Sequence, residues 1–105
     1  MTSSVAYVYL HDDGMEWEDL DIFLTLHSAM HHAASHMVKY LDRGHPWNEC
    51  CRFRIEIFSA KSFNNMHLKP SYRYYKIRNL NPDEIVMMKN VLTADSDLTQ
   101  FFELR

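Results

Sequence analysis

The chain has 105 residues, of which 47% are apolar and 24% charged, with two glycines and three prolines. That balance excludes a disordered or collagen-like chain and suits one domain whose core needs no metal or disulfide staple. The net charge of −3 conceals a segregation: eight acids against two bases over residues 1–51, seven bases against one acid over 52–78, and five acids against two bases over 79–105, so a mildly acidic protein can still present a basic surface.

Ser4 to Leu10 is β-branched and aromatic, which predicts a strand with Val5, Tyr7 and Tyr9 on one face and Ala6, Val8 and Leu10 on the other. His11-Asp12-Asp13-Gly14 has turn composition and ends it. A long helix is predicted next, starting between Met15 and Asp21 and ending near Arg43. Leu20, Phe23, Leu24, His27, Met30, His31, Ala34, Val38 and Leu41 recur at helical spacing. Ile22, Leu26, Ala29, Ala33 and Tyr40 widen this stripe beyond what one sheet covers, so part of the arc is expected to meet another chain or the terminal segment. Acids crowd the predicted start, where they oppose the positive end of the helix dipole. Gly44 supplies a left-handed cap and Pro46 forbids continuation.

Cys51 to Ala60 alternates as a half-buried strand, with Cys51, Phe53, Ile55 and Ile57 inward and Arg52, Arg54, Glu56 and Phe58 outward. Ser62 to Pro70 reads as a loop. Ser71 to Arg78 is a further strand, with Tyr75 and Ile77 inward and Tyr72, Tyr74, Lys76 and Arg78 outward. Asn81-Pro82-Asp83-Glu84 is the sharpest local signal: a helix cap, a proline at the first helical position and a glutamate that reaches back. Ile85, Met88 and Leu92 form that helix's buried stripe, beside Val91. Leu98 to Leu104 fits either a short helix or a last strand.

The order is therefore βαββα(β). It predicts an α+β fold, a ferredoxin-like sandwich with an antiparallel sheet, helices on one face, and strands one and three side by side in the centre. The face left bare would carry Tyr7, Tyr9, Arg52, Arg54, Phe58, Tyr72, Tyr74, Lys76 and Arg78. Rings interleaved with bases can stack unpaired nucleic-acid bases and meet phosphate. In topology this layout resembles RNA-recognition-motif domains, which carry aromatics on strands one and three; the glycine-spaced signature of their third strand is missing from Tyr72-Arg73-Tyr74-Tyr75-Lys76-Ile77. Tyrosine and arginine are equally the residues that protein interfaces favour. A protein partner or a second copy of the chain is the leading expectation, and single-stranded RNA or DNA the alternative.

The acidic patch of Asp12, Asp13, Glu16, Glu18, Asp19 and Asp21 reads as a solvated helix start, or else as a mimic of nucleic-acid phosphates. His27/His31 and His32/His36 are spaced as chelating pairs, yet no third ligand is fixed by sequence. His45, His67, Cys50 and Cys51 qualify only by type, so no metal or cofactor is expected. His27 and His31, on the apolar stripe, are expected as core histidines. Adjacent Cys50 and Cys51 read as reduced thiols. No phosphate-cradling glycine loop or nucleophile elbow occurs, and catalysis is not expected. No stretch reaches the roughly 18 apolar residues of a membrane span, and Met1-Thr2-Ser3-Ser4 lacks the features of a secretory leader. The expectation is a small cytoplasmic, non-catalytic protein that modulates a larger partner by binding. Accessory or inhibitor proteins of phages and mobile elements are commonly of this size and plainness.

Overall fold

A computed structural model describes residues 5–12, 17–59 and 73–105. The elements are β1 (Val5–Asp12), β2 (Trp17–Phe23), α1 (Leu26–Asp42), α2 (Trp47–Cys50), β3 (Phe53–Ser59), β4 (Tyr74–Ile77), α3 (Pro82–Thr93), a 3₁₀ turn (Thr99–Phe101) and β5 (Phe102–Leu104). The strands form one antiparallel sheet in the order β2-β1-β3-β4-β5. The α+β sandwich with an antiparallel sheet is thus as the sequence predicts, and consistent with a ferredoxin-like layering.

The strand order has its own logic. β1 lies beside β3, not beside β4 as two crossovers would have placed it. The difference begins at Trp17–Phe23, which is extended and pairs with β1 where a helix start is predicted. β2 and β3 flank β1 and run parallel to each other, so α1 crosses from one to the other over β1. β4 then folds back on β3, and α3 links β4 to its neighbour β5. The terminal segment resolves both of its readings, a 3₁₀ turn followed by a strand.

α1 starts at Leu26 because Thr25 caps it: its Oγ1 accepts from the Ser28 amide at 3.2 Å. Its buried face is Ala29, Met30, Ala33, Ala34 and Met37. The three alanines let the helix lie close to the sheet. Gly44 takes the left-handed conformation, φ +87°, and stops the helix as predicted. α3 carries the predicted capping box, with the Glu84 amide donating to Asn81 Oδ1 at 2.9 Å and the Asn81 amide donating to Glu84 Oε1 at 3.1 Å. Met88 is its fully buried residue.

The core lies between the helices and one sheet face. Tyr9, Phe53, Ile55, Ile77 and Phe102 from the strands meet Ala29, Met30, Ala33, Ala34 and Met37 of α1, Met88 of α3, and Leu98 and Phe101. His27 is exposed and His31 part-exposed, outside this core. They are not the core histidines that the stripe predicts, because the helix is rotated to bury its alanines.

Candidate binding surface

Strand alternation and register decide which side chains share the sheet face turned away from the helices. Leu10 stands opposite Arg54, Val8 opposite Glu56, and Ala6 opposite Phe58. Glu56 stands opposite Tyr74, and Lys76 opposite Glu103. Residues two apart on a strand share a face, so Ala6, Val8, Leu10, Arg54, Glu56, Phe58, Tyr74, Lys76 and Glu103 belong together. Tyr7, Tyr9, Ile55, Ile57, Tyr75 and Ile77 belong to the helix side.

This divides the predicted face in two. Arg54, Phe58, Tyr74 and Lys76 are brought together as the alternation of β3 and β4 requires. Tyr7 and Tyr9 point the other way. Tyr9 is 1% exposed and its hydroxyl shares a 2.9 Å hydrogen bond with His36 Nδ1. Burial pushes the Tyr9 hydroxyl far above the ordinary phenol range, with the nearby Tyr40 adding to the shift. β1 pairs directly with β3, so Tyr7 faces Ile57 and Tyr9 faces Ile55, two inward residues of β3. Parity along β1 alone carries no information about which of its faces turns inward.

The far side is not bare along its whole length. Ala6, Val8, Glu56 and Phe58 are buried. Phe58 is therefore closed off rather than displayed. The accessible end holds Leu10, Arg54, Tyr74, Lys76 and Glu103, all part-exposed. Here Arg54 Nη2 pairs with Glu56 Oε1 at 2.6 Å, and the guanidinium carbon lies 5.7 Å from the centroid of the Tyr74 ring. A guanidinium over an aromatic face is attracted by the ring quadrupole, more strongly where water is thinned. The buried Glu56 carboxylate fixes the guanidinium, and Arg54 in turn satisfies a charge that would be costly to bury alone. Beside the stack, a recess of about 220 Å³ is lined by Cys51, Phe53, Arg54, Tyr74 and Lys76. Lys76 Nζ reaches Glu103 Oε1 at 3.8 Å, and Arg105 Nη2 meets the same oxygen at 3.2 Å.

The other predicted contact residues have separate places. Arg52 precedes β3 and is exposed; with His11, Asp12, Tyr40, His45 and Glu49 it lines a second recess of about 160 Å³. Arg78 follows β4 and is tied down, its Nε donating to the Gln100 carbonyl at 2.6 Å and its Nη1 pairing with Glu84 Oε2 at 2.7 Å. The hydrogen bond from the Asn81 amide, with that pairing second, holds the Glu84 carboxyl below the usual carboxylate range. Tyr72, Asp13 and Glu16 lie outside the described residues. Asp12 ends β1, while Glu18, Asp19 and Asp21 lie on β2 opposite His11, Leu10 and Tyr9. The described acids thus belong to a strand pair, β2 forming the sheet's edge, and not to a helix start.

Both cysteines are free. Burial raises the Cys50 thiol, and the neighbouring Cys51 and Glu49 add to it. Burial likewise raises Cys51, in part offset by a backbone hydrogen bond and by Lys76 and Arg52. A thiol held protonated is a poor nucleophile and a poor metal ligand. A histidine array runs along α1. His32 meets Tyr9 edge-on at 4.9 Å, His36 meets Tyr40 at 4.9 Å, and His11 stacks on Tyr40 at 6.1 Å. Near the start of the same helix, His27 and His31 both approach Asp95. Spacing marks the histidines, but no sequence signal links them to a carboxylate so far along the chain. Comparison with models of known protein families, with curated proteins and with solved structures gives no match for this chain.

Proposed function

We propose that this chain is a non-catalytic binding protein that docks on a larger protein, and modulates it, through the accessible end of the outer sheet face. The observation that carries the reading is the Arg54–Tyr74 stack, held by the buried carboxylate of Glu56 beside a recess. Tyrosine and arginine dominate interface energetics when they are held in place before binding, because less rotamer entropy is lost on docking. The flanking charge specifies the partner's chemistry. Among the described residues Arg54 and Lys76 line the recess with Phe53 and Tyr74, which fits a partner that brings an acidic group beside an apolar one. One further feature favours binding over catalysis: burial raises both thiols above their ordinary range. Size and plainness fit an accessory or inhibitor protein of a phage or mobile element working in the cytoplasm. Among the described residues, no helix is long and apolar enough to cross a membrane.

The nucleic-acid reading is weakened by the same geometry. A stacking platform needs successive rings among its bases, and with Tyr9 under α1 and Phe58 buried, Tyr74 is the one ring on the accessible end among the described residues. The test is affinity capture from the native host with tagged wild-type protein, Tyr74→Ala and, on the exposed side of α3, Val86→Ser. The proposal expects a protein retained by wild type and Val86→Ser, insensitive to nuclease, and reduced at least about tenfold by Tyr74→Ala. Capture that survives Tyr74→Ala, or that vanishes with nuclease and falls steeply with salt, overturns it.

A further inference from the structure

Among the described residues, the accessible end of the outer sheet face brings Arg54, Lys76 and Arg105 together with Glu56 and Glu103. These cations are not equally engaged. Arg54 is committed to the Glu56 carboxylate at 2.6 Å and lies over the Tyr74 ring. Arg105 grips Glu103 twice, its Nε and Nη2 each donating to Oε1 at 3.2 Å. Lys76 Nζ lies 3.8 Å from that same oxygen, beyond hydrogen-bond reach. Glu103 is thus held by Arg105, and Lys76 shares its charge without being bonded to it. The Lys76 side chain is 38% exposed and lines the recess with Cys51, Phe53, Arg54 and Tyr74. Burial raises the Cys51 thiol in that recess, and Lys76 is among the groups that pull it back, so the ammonium charge is felt inside.

From this arrangement we propose that Lys76 selects the partner by pairing with an aspartate or glutamate side chain that enters the recess, and that Glu103 is the internal competitor for that pairing. This role rests on the docking reading of the same site. Charge complementarity identifies the occupant: cations outnumber carboxylates here, and the least engaged of them borders the recess. An incoming carboxylate beside the Tyr74 ring displaces water from Lys76, and a charge pair gains strength where water is excluded. An apolar side chain next to that acid meets the part-exposed ring itself. Lysine suits the exchange, because its ammonium is a point charge on a flexible stem and can turn from Glu103 to the recess without moving β4. The contact it leaves joins two half-exposed groups and is cheap to break. Glu103 therefore sets a threshold that a partner's carboxylate must clear, without blocking the site.

The probe is a random peptide library displayed on phage and panned on the purified full chain, followed by titration of the enriched peptide in synthetic form. Enriched sequences are expected to carry Asp or Glu beside Phe, Trp or Leu. Lys76→Gln is expected to weaken the peptide by about fivefold and to flatten its salt dependence, and Glu103→Gln to tighten it about twofold. In the Lys76→Gln background the gain from Glu103→Gln is expected to shrink, which a loss of fold would not produce. Val86→Ser is expected to leave the affinity unchanged. Enriched peptides without an acid, an affinity that Lys76→Gln leaves intact, or weaker binding by Glu103→Gln overturns the inference. So does a library that yields no peptide sensitive to Tyr74→Ala. The docking reading is judged separately, by affinity capture. A protein retained through Tyr74 but indifferent to Lys76→Gln sinks the role of Lys76 and leaves that reading standing; loss of the Tyr74 dependence sinks both.

Discussion

At the scale of single residues, the chemistry of this chain is concentrated on histidines that α1 holds against β1. His36 shows the consequence. Burial lowers its basicity below the ordinary value of 6.5, and the neighbouring His11, His32, Lys39 and Arg43 lower it further. The same ring shares a 2.9 Å hydrogen bond with the Tyr9 hydroxyl through Nδ1. The sign of the pH effect follows. In the unfolded chain the imidazole takes a proton near pH 6.5; in the folded chain it resists until the pH is lower. Between these two values the unfolded state binds more protons, so stability falls as the pH drops through that window. The urea midpoint of the wild type is therefore expected to fall as the pH goes below about 6.5. In His36→Gln, which keeps an acceptor for Tyr9 but cannot titrate, the slope is expected to be shallower. Parallel pH profiles for the two proteins would refute this account.

At the scale of elements, each boundary depends on a local device whose worth can be measured. The start of α3 rests on Asn81 and Glu84 acting on each other's backbone amides. Asn81→Ala removes the first of these bonds. It is expected to cost about 1 kcal/mol in chemical denaturation, while Asp83→Ala, exposed in the same turn, costs clearly less. The same comparison explains what the sequence makes legible. α3, the stop at Gly44 and the alternation of β3 and β4 depend on residues within a few positions of one another, and all are readable. β2 is not. Acids at Glu18, Asp19 and Asp21 imitate a helix start, and the register shift between Tyr9 and Leu10 breaks the period of two by which a strand is recognised. On an edge strand an exposed charge such as Asp21 discourages pairing with other chains. The candidate surface divides along the same line. Arg54, Tyr74 and Lys76 follow from parity along their own strands. The inward turn of Tyr9 is set by pairing between strands, and the partnership of His27 with Asp95 by packing between helices; neither has a local signature.

At the scale of the whole molecule, one core has to join two units that the chain builds separately. The first is β1, β2, α1 and β3; the second is β4, α3 and β5. They meet along the pairing of β3 with β4 and through side chains that cross between them. Phe101 is one of these, fully buried in the cluster that also holds Tyr9, Met30, Ile55 and Met88. Its carbonyl accepts from the Arg78 amide at 3.0 Å, so the segment leading into β5 is fastened to the exit of β4 as well as packed. Sharing one core makes the two units interdependent. Phe101→Ala would leave a cavity among residues from both, and cavities of that size cost about 3–5 kcal/mol, a large share of the roughly 5–15 kcal/mol that holds a domain together. The expected outcome is a lower melting midpoint at which secondary and tertiary signals are lost together. A biphasic transition, in which β1, β2, α1 and β3 outlast β4, α3 and β5, would show that the two units do not depend on a common core.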